Sequence, residues 1–157
     1  MKKLTFSFFL VFVILQLSAQ QMPLLIKSGA KGLYLEHKVA AKENFYSIGR
    51  LFNVHPKYLA AYNGLDMSKG LSLGQPLNIP LTDTNFNQKT GNGVPVYYEV
   101  GEKEGLMKVS NNNNKVLLEN LRKWNGLAND NISKGSKLIV GYLVSNEMKN
   151  IAVKTEP

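Results

Sequence analysis

Apolar residues in this chain change period in a set order, and the order repeats. Residues 34–39 alternate imperfectly and end at Ala40-Ala41, the pattern of a short strand. Asn44 then offers a side-chain oxygen to an orphaned amide one turn on, which marks a helix N-cap. Phe45, Ile48, Leu51 and Phe52 follow at helical spacing as a single apolar stripe. Asn53 tolerates the left-handed backbone on which helices end, so the stripe stops there. His55-Pro56 opens a second helix, because proline at the first helical position gives up only an amide that would be unpaired anyway. Tyr58, Leu59 and Tyr62 line its side, and Asn63-Gly64 closes it. Pro76–Leu81 returns to period two, with Leu77 and Ile79 on one face. Helices this short are unstable alone. An antiparallel pair made of the two strands, with both helices on one face and Leu71 and Leu73 at the core margin, is the economical arrangement.

A second copy follows. Leu106-Met107-Lys108-Val109 stands for Phe45-Tyr46-Ser47-Ile48, and Leu121–Leu127 stands for Leu59–Leu65. Ile132–Val140 stands for Leu71–Ile79. Val39 and Val100 are 61 residues apart, as are Gly74 and Gly135, whereas Asn63 and Asn125 are 62 apart. The pattern is an internal duplication with one residue inserted in Asn111–Lys115. Consecutive asparagines compete for backbone hydrogen bonds, so the first helix of the second copy is expected to be short or frayed. The fold class is α+β: two small βααβ modules, residues 34–81 and 96–143, each with two helices on a two-stranded antiparallel sheet. Residues 21–33, with Pro23, Gly29 and Gly32, read as a poorly ordered leader. Residues 82–95 read as a polar linker and 144–157 as a tail.

Residues 1–20 combine Lys2 and Lys3, an apolar run over 4–17 and Ser18-Ala19-Gln20, the layout of a secretory signal peptide cut after Ala19 or Gln20. The run is short of the about 20 residues of a bilayer crossing, so no membrane insertion is expected after cleavage. Export to the periplasm or cell envelope follows. The sequence has no cysteine, which excludes a disulfide scaffold or a lipid-modified cysteine and leaves packing to hold small modules. The formal net charge is +8, from 19 basic and 11 acidic residues. That balance favours anionic surfaces such as cell-wall polymers without choosing one. Scattered basic residues without a stripe argue against nucleic acid.

Residues 37–80, and more weakly 98–141, resemble the lysin motif, LysM, a βααβ module that binds carbohydrate. The resemblance is carried by Val39, Phe45-Tyr46-Ser47-Ile48, Phe52-Asn53-Val54, Leu59, Asn63 and Gly74-Gln75-Pro76-Leu77-Asn78-Ile79-Pro80. The second copy is the degenerate one. The usual Gly-Asp-Thr before the first helix is replaced by Lys42-Glu43-Asn44 and Lys103-Glu104-Gly105, and His37 stands where the family tends to an aromatic, which the second copy has as Tyr98. The resemblance implies binding of a polymer bearing N-acetylglucosamine, chiefly peptidoglycan. It implies a groove with Lys42, Glu43, Asn44 and Phe45 on one wall and Gly64, Leu65, Asp66 and Met67 on the other. In the second copy the walls are Lys103, Glu104, Gly105 and Leu106 against Gly126, Leu127, Ala128 and Asn129. Loop amides and carbonyls would pair with the acetamide while Leu65 or Met67 covers its methyl. Each residue also has a plain structural reading: Asn44 as a cap, Phe45 and Leu65 as core, Asn63 as a brace, and Lys42 and Lys103 as solvated surface.

Catalytic chemistry is hard to build from these residues. His37 on a strand and His55 at a helix start read as packing and capping, and no close-spaced ligand set for a metal or cofactor is visible. Glu43 with Asp66 is the one conceivable acid pair for glycoside hydrolysis, which needs two carboxylates across a long cleft. A non-enzyme is expected. The alternative to glycan binding is an envelope adaptor whose second copy docks a protein, a reading that an exposed Trp124 would favour and a buried one would not.

Overall fold

A computed structural model describes residues 23–145 and 147. Its strands are β1 (Leu24–Gly29), β2 (Gly32–Lys38), β3 (Pro76–Pro80), β4 (Phe86–Asn87), β5 (Val94–Glu99) and β6 (Lys137–Leu143). The helices are α1 (Phe45–Leu51), α2 (Pro56–Tyr62), α3 (Leu106–Asn112) and α4 (Leu118–Asn125), with a single 3-10 turn at Met67–Lys69. The first copy is thus β2-α1-α2-β3 and the second β5-α3-α4-β6. The helix signals act as their chemistry requires. Asn44 accepts from the amides of Tyr46 and Ser47 and closes a capping box with Ser47. Asn53 sits at φ 52°, and His55 caps α2 ahead of Pro56.

The expectation of two separate two-stranded sheets is corrected: the strands form one mixed six-stranded sheet in the order β3-β2-β1-β5-β6-β4. The reason lies in residues 23–33, the described part of the expected leader, which supply a strand and the start of the next. After a turn that Gly32 makes at φ 105°, β2 runs back antiparallel to β1, with Ile26 opposite Leu35. On its other side β1 runs parallel to β5 through Leu24–Val96 and Leu25–Tyr97. Residues opposite each other share a face, so Leu24, Ile26, Leu33, Leu35, Leu77, Ile79, Val96 and Leu138 line one side. The apolar side of that sheet and the helices bury one another, and Ile48, Leu59, Val109 and Leu121 are each 0% exposed.

Residues 82–95 are no free linker either. Asn85 is fully buried; its amide nitrogen donates to the carbonyls of Phe52 and Pro80, and its oxygen accepts from the Thr82 amide. Three residues on, Gln88 donates to the carbonyls of Asn113 and Val140, and its own carbonyl accepts from Asn120. Each amide side chain anchors one copy, so the segment is a strap. Phe86 is buried against Gly141, where a Cβ would stand 2.5 Å from its ring. The tail begins attached, because the Val144 amide donates to the Asn85 carbonyl. The rest of the tail, apart from Ser145 and Glu147, and the signal-peptide reading over residues 1–20 lie outside the described residues.

Two smaller expectations change. α3 has seven residues, as α1 does, because side-chain bonds, from Asn112 out of the helix and from Asn113 back onto its last turn, offset the poor propensity of asparagine. Asn112 donates to Tyr98 and Glu104, and Asn113 donates to the Val109 carbonyl. Leu71 packs against the core as expected, but Leu73 is 76% exposed, since it precedes the turn at Gly74, φ 76°, that feeds β3.

Candidate functional site

The walls of each expected groove are loops that leave and re-enter the sheet at one end, and because β2 runs antiparallel to β5 the two grooves lie at opposite ends of the sheet. β2 and β3 pair as far as Lys38–Pro76. Just beyond, the Val39 amide donates to Gln75 at 3.0 Å and the Gly74 amide to Val39 at 2.7 Å. In the second copy Glu99 faces Lys137, and Val100 bonds to Ser136 at 2.9 Å and Gly135 to Val100 at 2.8 Å. Each copy therefore sets the loop into its first helix beside the loop out of its second. In the second copy an ion pair of 3.6 Å, Lys134 to Glu102, spans the two loops, with both side chains 70% exposed. The register equivalents in the first copy are Ala41 and Leu73.

Glu43 and Glu104 turn out to be braces of the first wall. One oxygen of Glu43 accepts from the Ala40 amide at 2.8 Å and meets His37 Nε2 at 2.7 Å. The same oxygen of Glu104 accepts from the Gly101 amide and the Tyr98 hydroxyl, each at 2.8 Å, while the other accepts from Asn112 at 3.1 Å. Burial opposes ionisation of Glu43, but the Ala40 amide and His37 outweigh it and hold the carboxyl below its ordinary value. Burial likewise opposes ionisation of Glu104, and the Gly101 amide, Tyr98 and Lys108 outweigh it. His37 also packs edge-on against Phe52, with ring centroids 5.2 Å apart. The strand position of His37 implies packing alone; the signal for the brace is its 61-residue register with Tyr98, shared by Glu43 and Glu104.

Lys42 and Lys103, beside those glutamates, are exposed and left-handed, at φ 68° and 56°. Asn44 works as the helix cap, whereas Gly105 makes no side-chain cap. The side chains of Phe45 and Leu106 are core, 3% and 2% exposed, so only their backbone is left for a wall. On the second wall Gly64 and Gly126 take φ 65° and 59°. Leu65, Met67 and Leu127 are half-buried against the core. Asp66 accepts from the Ser68 amide at 2.9 Å, which keeps its carboxyl below the ordinary value. Ala128 is exposed, and Asn129 makes the corresponding bond to Asn131 at 2.9 Å. Behind this wall Asn63 grips β3, donating to the Leu59 and Asn78 carbonyls and accepting from the Asn78 amide. Asn125 does the same with Leu121 and Ile139.

The walls present backbone amides, carbonyls and half-buried apolar side chains, which suits recognition more than bond breaking. Glu43 and Asp66 are both held deprotonated by bonds to their own loops, so neither is poised as a general acid. Among the described residues, no three His, Cys, Asp or Glu side chains come together.

A family model, described as LysM domain, matches residues 37–80 and again residues 98–141. Among solved structures, the spore cortex-lytic enzyme SleL of Bacillus cereus is similar at 24% identity and a TM-score of 0.34, over 69% of this chain and 23% of that one. SleL of Bacillus megaterium QM B1551 is similar at 19% identity and a TM-score of 0.31, over 68% and 22%. The chain spans less than a quarter of either SleL chain. Comparison with curated proteins gives no match.

Proposed function

The chain belongs to the LysM domain family, matched in both copies, and on that premise we propose that it is an exported, non-catalytic protein that holds peptidoglycan through N-acetylglucosamine. LysM domains are binding domains for glycans that contain this sugar. The observation that carries the reading is the repeated bracing of the walls. A glutamate fixes the entering loop and an asparagine fixes the returning one, at register-equivalent positions of both copies. Walls held this way lose little entropy on binding. A buried polar group left unpaired by a sugar without its acetamide costs about 1–3 kcal/mol, which supplies selectivity.

Affinity per groove is expected between millimolar and micromolar, about −4 to −8 kcal/mol. The two grooves lie at opposite ends of one sheet and are held at a fixed separation by the β1–β5 pairing and the strap, so a polymer gains from both only where its course spans the sheet. Retention on insoluble murein, against murein with its acetyl groups removed, tests the reading. Retention of the acetylated form alone supports it; equal retention of both, or retention lost at raised salt, assigns the binding to charge. Trp124, whose full exposure would favour the adaptor reading, is half-buried and packs edge-on against Tyr142 with centroids 5.3 Å apart, so it favours neither reading.

A further inference from the structure

Groove geometry leaves the charge of the ligand open, and the lysines of the first walls bear on it. Lys42 and Lys103 occupy the same register position, and both take a left-handed backbone, φ 68° and 56°. Glycine adopts that conformation without strain and a residue with a Cβ does not, so the backbone alone gives no reason for lysine twice. Left-handed geometry by itself is no mark of function, since Lys115 has it in the turn between α3 and α4. What sets the two apart is recurrence at the groove together with the state of the neighbouring charges.

The glutamates of the walls are engaged inward, Glu43 by Ala40 and His37 and Glu104 by Gly101, Tyr98 and Asn112, whereas Asp66 on the second wall of the first copy is exposed and accepts from the Ser68 amide. Lys42 and Lys103 are exposed and make no hydrogen bond or ion pair among the described residues. The second copy carries this further. Ala128 and Asn129 leave its second wall without an acid, Asp130 is held by both guanidinium contacts of Arg122, and Glu102 pairs with Lys134.

We infer that Lys42 and Lys103 are specificity-determining residues that favour a glycan carrying carboxylates, such as the lactyl and peptide acids of a murein strand, over a neutral polymer of the same sugar, with Lys103 contributing the more. The inference rests on the groove reading above. A rim lysine facing a carboxylate in water adds only a modest attraction, so it ranks ligands without making the site.

The test compares a soluble murein fragment that carries carboxylates with a neutral chito-oligosaccharide of equal sugar number, by calorimetry on the whole chain. The chain should prefer the acidic fragment by about fivefold, less at raised salt. Lys42→Gln and Lys103→Gln should each narrow that preference by about twofold to fivefold and leave the neutral ligand unchanged. Lys42→Gly with Lys103→Gly should do the same while raising the thermal midpoint, because glycine relieves the left-handed backbone. Equal binding of both ligands by the natural sequence, or a variant that weakens both alike, overturns the inference and leaves the groove reading standing. Binding of neither ligand overturns the groove reading as well.

Discussion

The two copies meet the same structural demand with different chemistry at one position. In the first, Phe52 is 4% exposed and packs against His37. In the second, Asn113 stands there, fully buried; its amide nitrogen donates to the Val109 carbonyl and its side-chain oxygen has no partner. A cleft of about 270 Å³ opens beside it, lined by Ile26, Ser28, Leu33, Tyr98 and Asn112 among others. The neighbouring exchange is linked. A Cβ on Gly49 would stand 2.6 Å from the Val54 carbonyl oxygen. Ser110 fits at that position and donates to the Val116 carbonyl at 2.6 Å, after the inserted residue has lengthened the turn. What survives in both copies is the set of polar braces: Glu43 and Glu104, Asn63 and Asn125. The backbone of this module is therefore held more by its loop braces than by the identity of its apolar filling.

Truncation at the exchanged position breaks the comparison most sharply. Phe52→Ala should cost about 3–5 kcal/mol as a cavity in a packed core. Asn113→Ala should cost about 1 kcal/mol, since it removes one neutral hydrogen bond and also an unpartnered oxygen. Urea unfolding measures both, and equal costs would show that the copies are packed alike. The strap comes next. Asn85→Ala strands the carbonyls of Phe52 and Pro80 and the Thr82 amide, at about 2–3 kcal/mol. Gln88→Ala, half-buried, should cost less, and one unfolding transition should serve both copies in each case.

Glu104→Gln should cost about 2 kcal/mol and Glu43→Gln somewhat less, because Glu104 has more partners and its side chain is 8% exposed against 19%. The same braces set an acid limit. Both carboxyls lie below their ordinary value of 4.5 when folded, so the unfolded chain binds more protons as pH falls. Their contribution is complete above about pH 4.5 and is lost as pH drops through the lowered folded values. Stability should fall there with the natural sequence and fall less steeply in the doubly substituted Gln variant. The smallest effects concern capping. Asn44→Ala should cost about 1 kcal/mol, whereas Gly105→Asn should add only a few tenths.

The helices and the strands that flank them were legible because each carries a local signal: a stripe, Asn44, Pro56 and Asn63-Gly64. β1 was not, because its partners are β2 and β5, and a six-residue strand next to Pro23 and two glycines has no signal of its own. The strap escaped for a similar reason. Asn85 and Gln88 look like surface residues until the carbonyls of Phe52 and Asn113 are beside them. For the site, position in the chain gave the walls, but the inward turn of Glu43 and Glu104 depends on His37 and Tyr98 six residues earlier across a bend. Such a contact is set by tertiary geometry and not by propensity.

Titration of the isotope-labelled chain with soluble N-acetylglucosamine oligomers, followed residue by residue by NMR, tests the account most directly. It predicts shifts at Lys42–Phe45 and Gly64–Met67, with a second set at Lys103–Leu106 and Gly126–Asn129, and little change over the strap at 82–95. Silent wall resonances at millimolar sugar, or shifts confined to other surfaces, would contradict it.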